Sequence, residues 1–324
     1  MSETAPSRNA LWLALAAAGL GGLICWLSYR LPPPSVSDFD NLHIATRGLL
    51  SGKDPYAAVV ASGIGFPLFY PLPACLLVLP VAWLPLPLAR AGWATLSAGV
   101  FTLAALRYRR GLPVALLSAP FLNAIVLGQW SPLLTAAVAF PLLGCVWAAK
   151  PSLGAALFVS FPSRRALGSA LAIVVLSLII LPGWPQGWLG ALQASNHKLP
   201  ILQPGGFLLG LALLRWRTRE ARLLLALACT PQTIGLYELL PLFLIPRRRR
   251  EAYLLAILSY AAAFISVLLF PWPPGAAIEI VRAHRWPVLL ALVYLPTLML
   301  VLLERPATDV PNASSSPSPE AHDQ

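Results

Sequence analysis

The chain has 324 residues, of which 58% are hydrophobic and only 11% charged. Soluble domains carry about 25% charged residues, so this deficit, with a mean hydropathy of +0.73, excludes an ordinary water-soluble globule and calls for a bilayer. The net charge of +11 is not read as a nucleic-acid surface: the arginines cluster in short loops between apolar runs, as membrane topology demands, and they meet anionic lipid headgroups.

Residues 11–29 form the first apolar run, long enough to cross about 30 Å as a helix. It follows Arg8, as a signal peptide would. But it holds Trp12 and Trp26, and it exits through Ser28-Tyr29-Arg30-Leu31-Pro32 without a small-x-small cleavage site. It is read as an uncleaved first helix. Further runs lie near 91–106, 112–127, 166–182, 252–270 and 287–303. No alternation of the outer-membrane barrel type occurs. The expected fold is all-α, a polytopic helical membrane protein. Cys25, Cys75, Cys145 and Cys229 have neither metal-site nor disulfide spacing and read as small core residues.

Five basic clusters set the topology: Arg107/Arg109/Arg110, Arg164/Arg165, Arg215/Arg217/Arg219/Arg222, Arg247 to Arg250, and Arg305. Placing them all in the cytoplasm puts residues 30–88, the Gly128-Gln129-Trp130 turn, and the loops 183–205 and 271–286 outside. Residues 68–84 are apolar enough to cross. A crossing there would send Arg107 outside, and Pro71, Pro73, Pro80, Pro85 and Pro87 make a straight helix costly. They are therefore expected at the outer interface as helix and turn, with a helix over 88–106 crossing inward. Residues 131–162 and 221–246 are too short for ordinary hairpins and imply broken helices lining a shielded cavity. The total is about 8 to 12 crossings. The membrane domain spans 1–305. Residues 306–324, rich in Ser, Pro and acid, form a disordered cytoplasmic tail, and the sequon at Asn312 within it is a chance match.

The chain has 12 acidic residues, and three, Asp38, Asp40 and Asp54, fall in the polar island between its first two long apolar runs. Asp38 and Asp40 read either as solvated or helix-capping carboxylates or as a general base at the membrane surface. Partial desolvation at the mouth of an apolar cavity would raise a carboxylate's proton affinity toward what base catalysis needs. Lys150, inside an apolar run, either snorkels beside Pro151 or pairs with a phosphate. Gln129, Gln232 and Glu238 are polar residues in apolar surroundings. Asn123 and Tyr237 read as helix-to-helix hydrogen-bonding residues. His43, His197 and His284 have no metal-ligand spacing, and no nucleotide-binding signature is present. No metal or cofactor is assigned.

Asp38-Phe39, with Ala45-Thr46-Arg47-Gly48-Leu49-Leu50-Ser51-Gly52-Lys53-Asp54-Pro55-Tyr56, resembles the first outer loop of glycosyltransferase family 87, of the GT-C superfamily. Phe69-Tyr70-Pro71-Leu72-Pro73 is similar to the family's aromatic-proline segment, Asn123 with Gly128-Gln129 to its Gly-Gln turn, and Ala149-Lys150-Pro151 followed by Arg164-Arg165 to its Lys-Pro helix. The resemblance covers roughly residues 10–250 and implies a GT-C-like fold with outer juxtamembrane helices. It implies a hexosyltransferase, often a mannosyltransferase, taking its sugar from a polyprenyl phosphate. The family's catalytic Asp stands where Asp38 does. The expected mechanism has Asp38, or Asp40, as base, Lys150 and Arg47 on the donor phosphate, and Tyr70, Gln129, Gln232 and Glu238 around the substrate. The expected partners are the lipid-linked donor, a glycolipid or glycan acceptor, and membrane lipids. The expected location is a bacterial plasma membrane, with the site on the outer face. The competing classes are a transporter or flippase for lipid-linked sugar, and a structural assembly subunit.

Overall fold

The computed structural model describes residues 7–30, 37–108, 111–195, 197–233, 235–270 and 285–303. Among them there is no strand, and one isolated antiparallel bridge couples Lys198 to Gln232. The described residues are all-helical, as expected. The tail 306–324 with its sequon, Arg109, Arg110, Arg305 and most of the loop 271–286 lie outside the described residues.

Helices α1 (Arg8–Arg30) and α5 (Leu86–Tyr108) form the most closely packed pair. Small residues permit this. A Cβ on Gly21 would come within 2.8 Å of Ala98 Cβ, and one on Gly99 within 3.1 Å of Ala18 Cβ. A Cβ on Gly22 would collide with Thr95 Oγ1. Lipid tails supply no hydrophobic drive between helices, so close backbone approach and dispersion hold them. The contacts run Ala18 to Gly99 and Gly22 to Thr95, so the pair is antiparallel, and the Arg8 and Arg107 ends lie together.

Between them in the chain come three short helices, α2 (Asp38–Leu50), α3 (Pro55–Ala61) and α4 (Leu72–Ala82). The residues of the polar island build the first two. Gly52 takes φ +74°, Asp54 accepts the Ala57 N–H at 2.8 Å, and Pro55 opens α3, where its missing N–H costs nothing. Most of α2 is buried, including the polar side chains of Asp40, Asn41, His43 and Thr46. Asn41 Nδ2 donates to the Phe66 carbonyl at 2.9 Å, and His43 Nε2 to the Leu84 carbonyl at 3.0 Å. The α4 and α5 axes differ by 106°, so the 68–84 segment folds back as a separate helix and the long helix starts at Leu86. A separate helix and turn ahead of the long helix is what the sequence led one to expect.

Among the described residues, helices α1, α12 (Arg249–Leu269) and α13 (Arg285–Leu303) are long and apolar enough to cross a bilayer alone, and counting α4 with α5, and α9 (Arg164–Ile180) with α10 (Trp184–Gln193), raises this to five. Their outward faces carry Leu20 and Leu23 on α1, Val175 and Ile179 on α9, and Ile257 and Phe264 on α12. Apolar side chains pointing outward in rows are what a lipid-facing surface requires. The count by length is lower than the sequence estimate because proline divides the middle of the chain. Pro113, Pro120, Pro132, Pro141 and Pro151 each stand in the first turn of a short piece: the 3₁₀ helix Leu112–Leu117, α6 (Ala119–Val126), α7 (Ser131–Ala136), the 3₁₀ helix Pro141–Ala148, and α8 (Pro151–Ser160). Two further 3₁₀ helices, Gly206–Arg215 and Leu236–Leu244, flank α11 (Arg219–Cys229).

The basic clusters gather at one end. Arg107 lies over the Phe140 ring at 5.4 Å, and Tyr108 meets Phe161, beside Arg164. Gly111 abuts Pro246 and Ala252, Arg247 pairs with Glu220 at 3.3 Å, and Arg215 reaches the Leu302 carbonyl. The opposite end holds α2, α3, the 66–71 segment and α10, whose Trp188 donates to the Phe69 carbonyl at 3.0 Å. Cys25 and Cys75 are buried, as core residues should be, but Cys229 is exposed.

Candidate functional site

At the end away from the arginines, Asp38 and Asp40 occupy the first turn of α2 and have different fates. Asp40 is buried and fully engaged. It accepts the Ser37 N–H at 2.9 Å and the Ser37 hydroxyl at 3.3 Å, one half of a capping box, and it faces the Arg90 guanidinium at 3.6 Å. Burial pushes its carboxyl above the ordinary range, while Arg90 and the Ser37 bonds pull it back. Arg90 has no exposed side-chain surface. It also donates to the Val126 carbonyl at the end of α6 at 3.0 Å, and its guanidinium lies 5.5 Å from the Tyr29 ring centre. It thus joins α1, α2, α5 and α6. Sequence reasoning missed it. The available signal was a cation inside an apolar helix, which marks a site by default.

Asp38 is only half-buried and has no ion pair among the described residues. It accepts from Gln129 Nε2 at 3.1 Å and from the Tyr70 hydroxyl at 3.3 Å. Local chain geometry supplies both donors. Gly128 takes φ +61° just past α6, and the Gln129 N–H closes back on the Ala124 carbonyl at 2.8 Å, a Schellman-type stop. That reversal turns Gln129 toward α2. A Cβ at 128 would press on Phe39 and Arg90, both at 3.4 Å. Tyr70 precedes Pro71, which keeps it extended, and its carbonyl accepts from the Tyr56 hydroxyl at 3.2 Å. The motif separated by 14 residues thus closes on itself. Trp130 packs against Tyr70 and Trp93, with ring centres 6.3 and 4.7 Å away, and Trp93 against Phe39. These rings form an aromatic wall behind Tyr70.

Lys150 lies between the 3₁₀ helix Pro141–Ala148 and α8, and it is not a lone cation. Its Nζ stands 2.8 Å from Glu238 Oε1 and 4.8 Å from the Tyr237 ring centre. The other Glu238 oxygen accepts from the Thr233 hydroxyl at 2.9 Å and from the Gly235 N–H at 3.2 Å. The pair adjoins the first cluster: the Tyr70 phenol lies in the field of Asp38, Tyr237 and Glu238. Burial and these charges hold that phenol well above its ordinary range, so it is a hydroxyl donor.

The structure therefore brings Asp38, Tyr70, Gln129, Lys150 and Glu238 together. It leaves Arg47 apart, while Gln232 adjoins Glu238 through Thr233 and Tyr294. Arg47 is exposed near the far end of α2, about 13 Å along the axis from Asp38 and half a turn round. Gln232 spends its amide on the Leu227 carbonyl and its Oε1 on the Tyr294 hydroxyl at 3.1 Å. Among the described residues no three His, Cys, Asp or Glu side chains are grouped as metal ligands. No family model, curated protein or solved structure matches the chain.

Proposed function

We propose that this chain is a membrane hexosyltransferase, similar to glycosyltransferase family 87, that moves a hexose, mannose by preference, from a polyprenyl-phosphate donor to an acceptor hydroxyl. The reaction takes place at the outer face of a bacterial plasma membrane, which the chain crosses about 8 to 12 times. The observation that carries the reading is the contrast between the two carboxylates. Asp40 is committed to Ser37 and Arg90, while Asp38 is half-exposed, has no salt bridge among the described residues and is held by two neutral donors. A carboxylate free of a salt bridge and fixed in direction suits a general base.

In the proposed reaction, Asp38 takes the proton of the acceptor hydroxyl as that oxygen bonds to the anomeric carbon. The bond from that carbon to the phosphate oxygen breaks, and its electron pair leaves with the lipid phosphate. Lys150 supplies positive charge near the departing phosphate. Because Glu238 already holds Lys150, the donor competes with Glu238 for that ammonium. Arg47, at the exposed end of α2, meets phosphates at the headgroup level.

The second reading is a flippase for lipid-linked sugar. The interrupted helices around the buried Lys150–Glu238 pair favour it, since broken helices line substrate paths in transporters. The test is purified protein in proteoliposomes, given radiolabelled polyprenyl-phosphate hexoses and a panel of acceptors. Transfer that is lost in Asp38→Asn supports the enzyme. Movement of the intact donor between leaflets without transfer supports the flippase.

A further inference from the structure

Both donors to Asp38 address the same oxygen. Gln129 Nε2 and the Tyr70 hydroxyl both point at Oδ2, and Oδ1 has no hydrogen-bond partner among the described residues. The Tyr70 hydroxyl also has a second acceptor within reach, Gln129 Oε1 at 3.5 Å. It carries one proton and cannot serve both. The three side chains close a triangle in which the position of that proton depends on the charge of Asp38.

We propose that Tyr70 and Gln129 are positioning residues that hold the Asp38 carboxylate with Oδ1 toward the acceptor hydroxyl, and that the Tyr70 O–H swings from Asp38 Oδ2 to Gln129 Oε1 as Asp38 becomes protonated. This rests on Asp38 being the base. An ionised carboxylate is a stronger acceptor than an amide carbonyl, so the phenol points at Asp38 in the resting state. When the acceptor's proton arrives at Oδ1, the charge on Oδ2 falls and the amide carbonyl becomes the better partner. No proton leaves Tyr70; only its O–H direction changes. Tyr70 and Gln129 are both buried, so water cannot replace either bond, and an orphaned hydroxyl would carry a desolvation cost. The triangle avoids that cost in both protonation states.

Other charges around Asp38 are already paired. Asp40, on the same helix, faces Arg90. His43 lies against the Leu84 carbonyl. Lys150 and Glu238, from the adjoining segments, pair with each other, and Tyr237 lies beneath Lys150.

The test follows the Asp38 carboxyl band by infrared difference titration of the full chain in nanodiscs, the band being assigned by its loss in Asp38→Asn. Tyr70→Phe and Gln129→Met each remove a bond that favours the charged form. Each should move the midpoint upward by about one to two pH units, the equivalent of one charge-assisted hydrogen bond. The acid limb of kcat/KM for sugar transfer should move by the same amount. An unmoved midpoint in both variants, with circular dichroism unchanged, overturns the proposal. So does a loss of transfer that is equal at every pH while the midpoint stays fixed, which would make Tyr70 part of the wall only. A shifted midpoint in a protein that transfers no hexose supports the triangle and overturns the transferase reading beneath it.

Discussion

Lys150 and Glu238, 88 residues apart in the chain, meet at 2.8 Å in the interior. Each comes from a segment that proline has broken, and each is otherwise an isolated charge in apolar sequence. Glu238 is further held by Thr233 and Gly235. A lone membrane lysine would be expected to improve insertion when removed. A paired one leaves its partner buried and uncompensated when removed.

Lys150→Met should therefore destabilise the protein by about 3–5 kcal/mol, and Glu238→Leu similarly, because each strands one buried charge. The double variant should be more stable than either single one. Thermal unfolding in detergent, analysed as a double-mutant cycle, measures this. Additive losses would mean that the two charges act independently.

Asp38→Asn should lower hexose transfer by about 10² to 10⁴-fold, the usual contribution of a general base, with little change in melting temperature. Asp40→Asn should do the reverse. It keeps an acceptor for the Ser37 N–H but takes the charge away from Arg90, at a cost of about 1.5–3 kcal/mol. Assays of both variants beside their unfolding curves separate the two roles. A melting temperature lowered by Asp38→Asn alone would exchange them.

Gly128→Ala should cost stability and activity together. Residue 128 sits at φ +61°, where a side chain costs about 1–2 kcal/mol, and the new Cβ would push on Phe39 and Arg90. Because the turn aims Gln129 at Asp38, transfer should fall further than Gly128→Asn makes it fall, since asparagine tolerates this backbone region. Equal activity in the two variants would detach the turn from the site.

His43 makes α2 acid-sensitive. Burial pushes its imidazole below the ordinary range, with Arg47 adding to this and the Leu84 carbonyl and Asp40 opposing. The folded state thus resists protonation more than the unfolded state does. Above about pH 6.5, the ordinary histidine value, there is no penalty, and as pH falls below that value toward the folded pKa stability is lost. His43→Gln, which keeps an N–H for the Leu84 carbonyl, should flatten this loss. Melting temperatures measured across that range decide the matter.

The basic end and the Asp38 end should lie on opposite sides of the membrane. In a cysteine-free background, Lys53→Cys, at an exposed position next to α3, should react with an impermeant maleimide on intact cells. Arg217→Cys, exposed among the arginines, should react only after permeabilisation. Labelling of both from outside would break the arrangement.

The sequence by itself determined the class of the protein and the gathering of the arginines. Apolar run length and charge clustering act locally through transfer into lipid, so Arg107, Arg164, Arg215 and Arg247 can be read without knowing the packing. The proline positions likewise foretold broken helices, because a missing N–H and a fixed φ act on their own turn. The family resemblance pointed to Asp38, but only the tertiary structure gives a physical difference between Asp38 and Asp40. Both lie in one turn of α2 with similar neighbours in sequence, and the difference comes from Arg90, Tyr70 and Gln129, which are 32 to 91 residues from Asp38 or Asp40 in the chain. The same holds for Lys150, whose partner comes from a segment the periodicity could not dock. A carboxylate's role is set by the donors and cations that surround it, and packing alone assembles those.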